Sequence, residues 1–459
     1  MTTNELMQPF GPVTPQQWKQ LLQADLKGGD YNELLTWTSQ EGIHVKPFYT
    51  EEDRPGTPGG SGLTPDCWEI GQIIHPAEDA SPASTAQSAL EGGADRLLIE
   101  VPPDDELAWL ADVSPGGGPI LESADLFRDP RELLPESANP GSEWRLDPIG
   151  NLVRSGNWNR GMEADLQRLV QLASEKDSGK CALRLGIRAD HYQQAGADRV
   201  QELAYALAHI HEYMHLSETH SELRPLLEQP VFRVAIGGDY FMEIAKLRAL
   251  RALWKLLAQA SGLPGTCRIT AVPSLRNKTL YDYNTNMIRT AAECMAGVLG
   301  GADLVCNLPY DAVYHHPNAF ADRIARNQLL LLRHEAYLAD VSNPADGAYY
   351  IESLTNQLGK KALELFKTLE KGGGFLAQFK RHTIQKKIRE SAAAAERAFD
   401  AGEQVLVGSN IYADPTQRMA GEQQKPLRAK RDGKTLVEPL PVRRLSESLE
   451  LKRLQDEPR

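Results

Sequence analysis

Cysteine is scarce in this sequence: five in 459 residues, at Cys67, Cys181, Cys267, Cys294 and Cys306, widely spaced and without a Cys-x-x-Cys pair. An odd, dispersed set excludes a disulfide framework and a zinc ribbon, and it fits thiols kept reduced in a cytoplasm. Long hydrophobic runs are missing too. The longest purely apolar stretches, such as Leu329 to Leu332, are far too short to span a membrane, and the first residues lack the basic start and apolar core of a signal peptide. A soluble cytoplasmic protein with no membrane partner is therefore expected. Nor is positive charge in excess. Fifty Lys and Arg against 62 Asp and Glu leave a net charge of -12, which excludes a general nucleic-acid binder. The chain also lacks a Walker-type phosphate loop, a serine nucleophile elbow and a credible Cys–His pair.

What is present is a composition able to build a large core, 41% hydrophobic and 24% charged, so disorder is not the dominant state. Residues 1 to 50 carry Trp18, Leu22, Trp37, Phe48 and Tyr49 ahead of a Pro/Gly/Ser-rich run from 53 to 63. This reads as an arm on a flexible linker, held off the core, whose apolar groups need a partner surface. Strand-length apolar runs then alternate with helical periodicity. The predicted strands are Trp68 to Ile74, Arg96 to Val101, Ala182 to Arg188, Phe232 to Ile236, Arg268 to Val272 and Leu304 to Leu308. The predicted helices are Ser84 to Glu91, Met162 to Ala173, Gln201 to Leu216, Tyr240 to Gln259, Asn286 to Leu299 and Ala319 to Ala339.

The junction Gly-Gly-Ala-Asp occurs at 92–95 and again at 300–303, each time leading from a helix into a strand. Repetition of strand and helix without a nucleotide-binding fingerprint predicts an α/β fold, an eight-stranded parallel (β/α)8 barrel, in preference to an open doubly wound sheet. The expected organisation is an arm over 1–55, the barrel over 56–410 with a helical segment after Tyr350, and a polar, peripheral tail over 411–459.

His211-Glu212-Tyr213-Met214-His215 is a His-Glu-x-x-His string, which on a helix can hold zinc beside a water-activating carboxylate. Its neighbours from Gln201 to Leu216 have the spacing of an outer crossover helix, whereas barrel active sites lie at the strand carboxyl ends. No metal site is expected there. His191 is the better placed candidate, since the strand Ala182 to Arg188 ends just before it and Gly196 is read as opening the next helix. Asp190 beside it points elsewhere if the chain is extended. His315-His316 reads as a solvated loop, and Arg268, Arg323 and Arg326 as ion-pairing residues.

Several long strings together carry a resemblance. They are 191–208 from His191, 239–254 from Asp239, 282–303 from Asp282, 323–358 from Arg323, and the glycines near 372, with support from 41–53. In these the chain resembles the acyl-CoA mutase family and, within it, the small non-catalytic subunits of methylmalonyl-CoA mutases. The resemblance implies a barrel through whose centre a catalytic member threads the pantetheine arm of coenzyme A, and an N-terminal arm that wraps a large catalytic subunit in a heterodimer. It also implies that adenosylcobalamin sits in that partner, since no Asp-x-His-x-x-Gly string, whose His ligates cobalt, occurs up to Arg459. No cofactor and no cobalamin-binding domain are expected in this chain.

Departures from the catalytic pattern point the same way. His191 is retained, but Asp190 stands where the pattern has Tyr, and Val272-Pro273-Ser274-Leu275-Arg276 replaces Gln-Thr-Ser-Gly-Trp. The early Tyr-Ala-Gly-Phe loop is not found. His191 is then a vestigial catalytic position. The alternative is the catalytic barrel of a split, isobutyryl-CoA type mutase, which should have kept those motifs.

Overall fold

The computed structural model describes residues 13–53, 67–102, 107–113, 117–123, 125–129, 134, 141–175, 181–428 and 433–457. Apart from Asp53, the Pro/Gly/Ser-rich run lies outside them. Eight parallel strands close into a barrel: β1 Glu69–Ile74, β2 Arg96–Val101, β3 Ile120–Ser123, β4 Glu143–Leu146, β5 Ala182–Arg188, β6 Val231–Ile236, β7 Arg268–Pro273 and β8 Leu304–Cys306. Closure is made where Val305 of β8 pairs with Ile70 of β1. The expected barrel is thus the fold, with two strands that the sequence reading did not find. β3 and β4 are four residues each, and alternate positions are filled by Glu122, Glu143 and Arg145, so neither offers an apolar run.

The main crossover helices are α1 Pro82–Glu91, α2 Met162–Ser174, α3 Arg199–Thr219, α4 Tyr240–Ala260, α5 Thr285–Leu299 and α6 Ala319–His334. Each strand sends alternate side chains to opposite faces. On β2, Leu97, Ile99 and Val101 join the large core under the helices, while Leu98 belongs to a separate cluster with Ile120, Val272, Leu304 and Cys306. That smaller cluster lines the bore. The repeated Gly-Gly-Ala-Asp junction serves the same geometry twice. Gly93 and Gly301 take positive φ, 95° and 84°, where a Cβ is costly. The carboxylates of Asp95 and Asp303 then accept the N–H groups of Ile70 and Ile269 on the preceding strands.

Three more helices, α7 Tyr349–Lys371, α8 Gly374–Lys380 and α9 Thr383–Asp400, wrap the outside over α3 and α4. The arm does not stay clear of the core as expected. A two-stranded hairpin, Trp37–Thr38 against His44–Val45, presents Ile43 as a fully buried member of the main core. Glu41 pairs with Arg199 at 2.8 Å. Tyr49 rests on Tyr350. What remains open is the outer side of the arm: Trp18, Leu21, Leu34 and Trp37 are exposed, and helix Pro15–Asp25 buries none of its residues.

The expected peripheral character of the tail needs a larger correction. From 433 to 457 it is a strap across the strand carboxyl ends, with Val437 and Leu440 in the main core. The N–H of Arg443 donates to Gln194 O and that of Leu445 to Arg276 O. In the last helix, α10 Glu447–Asp456, Glu450 accepts the N–H of Leu280 at 2.8 Å and pairs with buried Arg444 at 2.5 Å. Its polar residues are buried because they answer backbone groups of the barrel loops, which composition does not reveal. Among the described residues, no helix is long and apolar enough to cross a membrane.

Removing Glu450 leaves the buried N–H of Leu280 without its acceptor and takes from buried Arg444 its carboxylate, with the Lys278 carbonyl remaining. Glu450→Ala is expected to destabilise the chain by about 3–5 kcal/mol, seen as an earlier urea midpoint. An unmoved midpoint would show the strap to be as peripheral as its composition suggests.

Candidate functional site

The strand carboxyl ends enclose a cavity of about 300 Å³, lined by His75, Glu100, Asp147, Arg154, Arg188 and His191 among others. Its floor is ionic. Arg233 of β6 reaches across the bore to Glu100 of β2 at 2.9 Å and Glu122 of β3 at 2.6 Å. Arg188 pairs with Glu122 at 3.2 Å and grips Asp190 through two 2.9 Å hydrogen bonds. A second set lies at the opposite end of the bore, where Arg268 binds Glu143 at 2.6 Å and Glu69 at 2.8 Å, with Arg96 against both. Arg145 joins the two sets, 3.2 Å from Glu143 and 3.6 Å from Glu122, and donates to Thr270 Oγ1.

Five guanidinium groups thus face five carboxylates, and the charges cancel. Burial alone would raise the carboxylate pKa values. The arginines outweigh it, holding Asp190 and Glu143 below, and Glu100 well below, the usual carboxylate range. Arg268 thus pairs as the sequence reading proposed, while Arg233 and Arg188 were not singled out. The available signal was charge at alternate strand positions, Arg96 and Glu100, Glu143 and Arg145, on the face that turns away from the helices.

His191 sits where the strand order placed it, on the cavity wall, but the local structure differs. Residues Asp190–Ala195 form a short helix, and Gly196 ends it with φ 113°. Gly196 therefore closes a helix and does not open one; α3 starts at Arg199, capped by Asp198. Burial first, and then the cation of Arg188, push the His191 pKa down to about 3. Asp190 is turned to Arg188 and Arg233, away from the role of imidazole orienter. Across the cavity, burial lowers and the carboxylates of Glu100 and Glu78 raise the pKa of His75, with a net rise.

Sequence reasoning missed the hub beside the cavity. Asp147 accepts from Tyr213 OH at 2.9 Å and from the N–H groups of Gly150 and Arg188, and contacts His209 Nε2 at 2.8 Å. His209 Nδ1 lies 2.9 Å from Tyr192 OH, and its ring stacks on Phe375. The remaining candidates do not converge on the cavity. His211, Glu212 and His215 lie on the outer side of α3 towards α7 and α8. His315 pairs with Asp311, while the backbone N–H of His316 donates to Gln424. Arg326 bonds Gln72 and Gly92, and Arg323 lies over Phe320. The mouth can hold a small polar group against the neutral imidazole of His191; Glu100 and Glu122 are committed to arginine, and Asp147 to His209 and Tyr213.

With this barrel in view, the comparison that decides its kinship is direct: the family model of methylmalonyl-CoA mutase matches residues 146–444. The chain belongs to the methylmalonyl-CoA mutase family. It is 30% identical to a methylmalonyl-CoA mutase small subunit of Porphyromonas gingivalis, over 99% of this chain and 78% of that protein. It is 31% identical to the small subunit of Streptomyces virginiae, over 89% of this chain and 72% of that protein. A methylmalonyl-CoA mutase of Rhizobium meliloti is 38% identical, but over 50% of this chain and 33% of that protein.

The His191 environment has a pH signature. The unfolded imidazole titrates near ~6.5, whereas in the fold it stays neutral down to about 3. Below the unfolded value the unfolded chain binds a proton that the native chain does not. Stability therefore falls as pH drops from about 6.5 towards 3, and His191 contributes no slope above that window. His191→Gln is expected to flatten this part of the stability curve. An unchanged slope would mean that His191 titrates normally in the fold.

Proposed function

We propose that this chain is the small, structural subunit of a heterodimeric, adenosylcobalamin-dependent methylmalonyl-CoA mutase. The complex interconverts methylmalonyl-CoA and succinyl-CoA, and catalysis resides in the large subunit. The observation that carries this reading is the filled bore. A catalytic barrel of this family is expected to pass pantetheine along its axis. Here Arg145, only 3% exposed, stands in that path between two sets of crossing ion pairs. Opening a channel would separate buried charges, each several kcal/mol costly to strand.

The same feature weighs against a split catalytic barrel of the isobutyryl-CoA type. A mouth cavity of about 300 Å³ is at the lower end of pockets for drug-sized molecules and does not fit a corrin ring with its adenosyl group. His191 then lines the mouth cavity at a vestigial position. The buried thiols of Cys267, Cys294 and Cys306 support a reducing, cytoplasmic setting.

The exposed side of the arm supplies the partner surface. Trp18 and Trp37 are 44% and 53% exposed, with Leu21 and Leu34 beside them in sequence. Large aromatics of this kind anchor interfaces when a partner buries them.

Purified alone, the chain is expected to show no methylmalonyl-CoA turnover and no stoichiometric adenosylcobalamin uptake, and to co-purify with the large subunit as an active complex. Turnover by the chain alone overturns the reading. Replacing Trp18 and Trp37 by Ala is expected to weaken that association at least ~10-fold while leaving the chain's own melting temperature unmoved. Undiminished affinity would place the interface elsewhere.

A further inference from the structure

Helices α3 and α7 run together on the outside of the barrel, and three side chains between them face one another. His211 and His215 are one turn apart on α3, so both imidazoles lie on the same side, with ring centroids 4.2 Å apart. Glu370 comes from the last turn of α7. Its Oε2 is 2.9 Å from His211 Nδ1 and 3.9 Å from His215 Nε2. One donor atom from each of the three lies within 4.8 Å of the other two.

The contacts within this group leave needs unmet. His211 Nδ1 and Glu370 Oε1 are both shielded from solvent, yet neither has a hydrogen-bond partner. The 2.9 Å approach of the imidazole to the carboxylate is therefore close but misaligned. Buried polar atoms without partners demand an explanation. Two imidazole nitrogens and a carboxylate are also a donor set suited to a divalent transition metal.

We propose that His211, His215 and Glu370 form a binding site for a divalent transition metal of the zinc class, with solvent completing the coordination. Metal–ligand bonds of ~2.0–2.1 Å place tetrahedral donors ~3.3 Å apart. The 2.9 Å and 3.9 Å separations bracket that value. Rotation of the His215 ring, half exposed, closes the longer one. His215 Nδ1 lies 3.6 Å from Glu218, a carboxylate placed to orient the ring from behind. Phe366 packs edge-on against His211 and limits its swing.

The site is not hydrolytic. Glu212, the residue that would activate water in a His-Glu-x-x-His enzyme, accepts the N–H of Leu376 at 2.9 Å and so holds the start of α8. The metal would instead clip the crossover helix after β5 to the C-terminal helices. This role is independent of the mutase reading and stands whether or not the chain is catalytic. Sequence inspection discounted the string because it lies far from the barrel mouth, and it could not see that Glu370 completes it.

The test uses the full chain without a histidine tag, freed of metal by a chelator, and then Zn²⁺ alone or Co²⁺ as its coloured surrogate. One equivalent of Zn²⁺ is expected to bind, with a raised melting temperature and, for Co²⁺, the visible bands of a low-symmetry site. His215→Ala and Glu370→Gln should each weaken binding by more than ~100-fold, and Glu218→Gln by ~10-fold. Glu212→Gln, which keeps an acceptor for Leu376, should leave it unchanged. Since His215 is largely solvent-facing, its variant keeps the native circular dichroism, so lost binding reads the site and not unfolding. Absence of stoichiometric binding at micromolar Zn²⁺ overturns the proposal, as does an equivalent that survives both His215→Ala and Glu370→Gln.

Discussion

The barrel is organised by the cancellation of charge along its axis. Each ion taken out of water costs several kcal/mol, recovered only where every charge meets well-placed opposite charges. Arg233 satisfies Glu100 and Glu122 at once, Arg268 satisfies Glu143 and Glu69, and Arg145 ties the two sets together. The pairs of Arg233 and Arg268 join strands that are not neighbours, so they specify the register and closure of the sheet more than they stabilise it. They also occupy the space that a through-bore ligand needs. One constraint therefore sets both the closure of the barrel and the content of its bore.

Outside the bore, a second ionic chain leads from the sheet to the arm. Lys246 is buried between Glu202 and Glu243, at 2.7 and 2.6 Å, and Glu243 binds Arg199 at 2.9 Å. Arg199 in turn holds Glu41 of the arm. Docking of the hairpin through Glu41 and Ile43 fixes one side of the arm and turns the other, with Trp18 and Trp37, to solvent. The strap from 433 to 457 performs the matching task at the mouth, where its backbone and acidic side chains answer loop groups that would otherwise be buried unpaired.

Where helices are amphipathic and strands apolar, local sequence sufficed. β2 and β5 are found at the residues expected, and α2 and α5 within a residue or so. The failures share one physical cause. β3, β4 and the strap bury charge, as in Glu143, Arg145 and Glu450, and a buried charge looks like a surface residue until its partner is known. Asp147 and His209 were missed for the same reason, because their relation spans α3 and the turn after β4. At Gly196 the ambiguity was of another kind: a glycine next to a strand end suits either the start or the end of a helix, and only its φ of 113° decides.

The sequence by itself determined the repeating strand–helix order, the eight-fold closure and the kinship, since these rest on periodicity, glycine caps and long ordered strings. It also placed His191 at the strand carboxyl ends. Only the tertiary structure decided what the bore contains, which side of the arm is free, that the tail is a strap, and that Glu370 faces His211 and His215. Each of those depends on a pairing between residues distant along the chain. Such pairings follow from three-dimensional distance and desolvation, which no local pattern encodes.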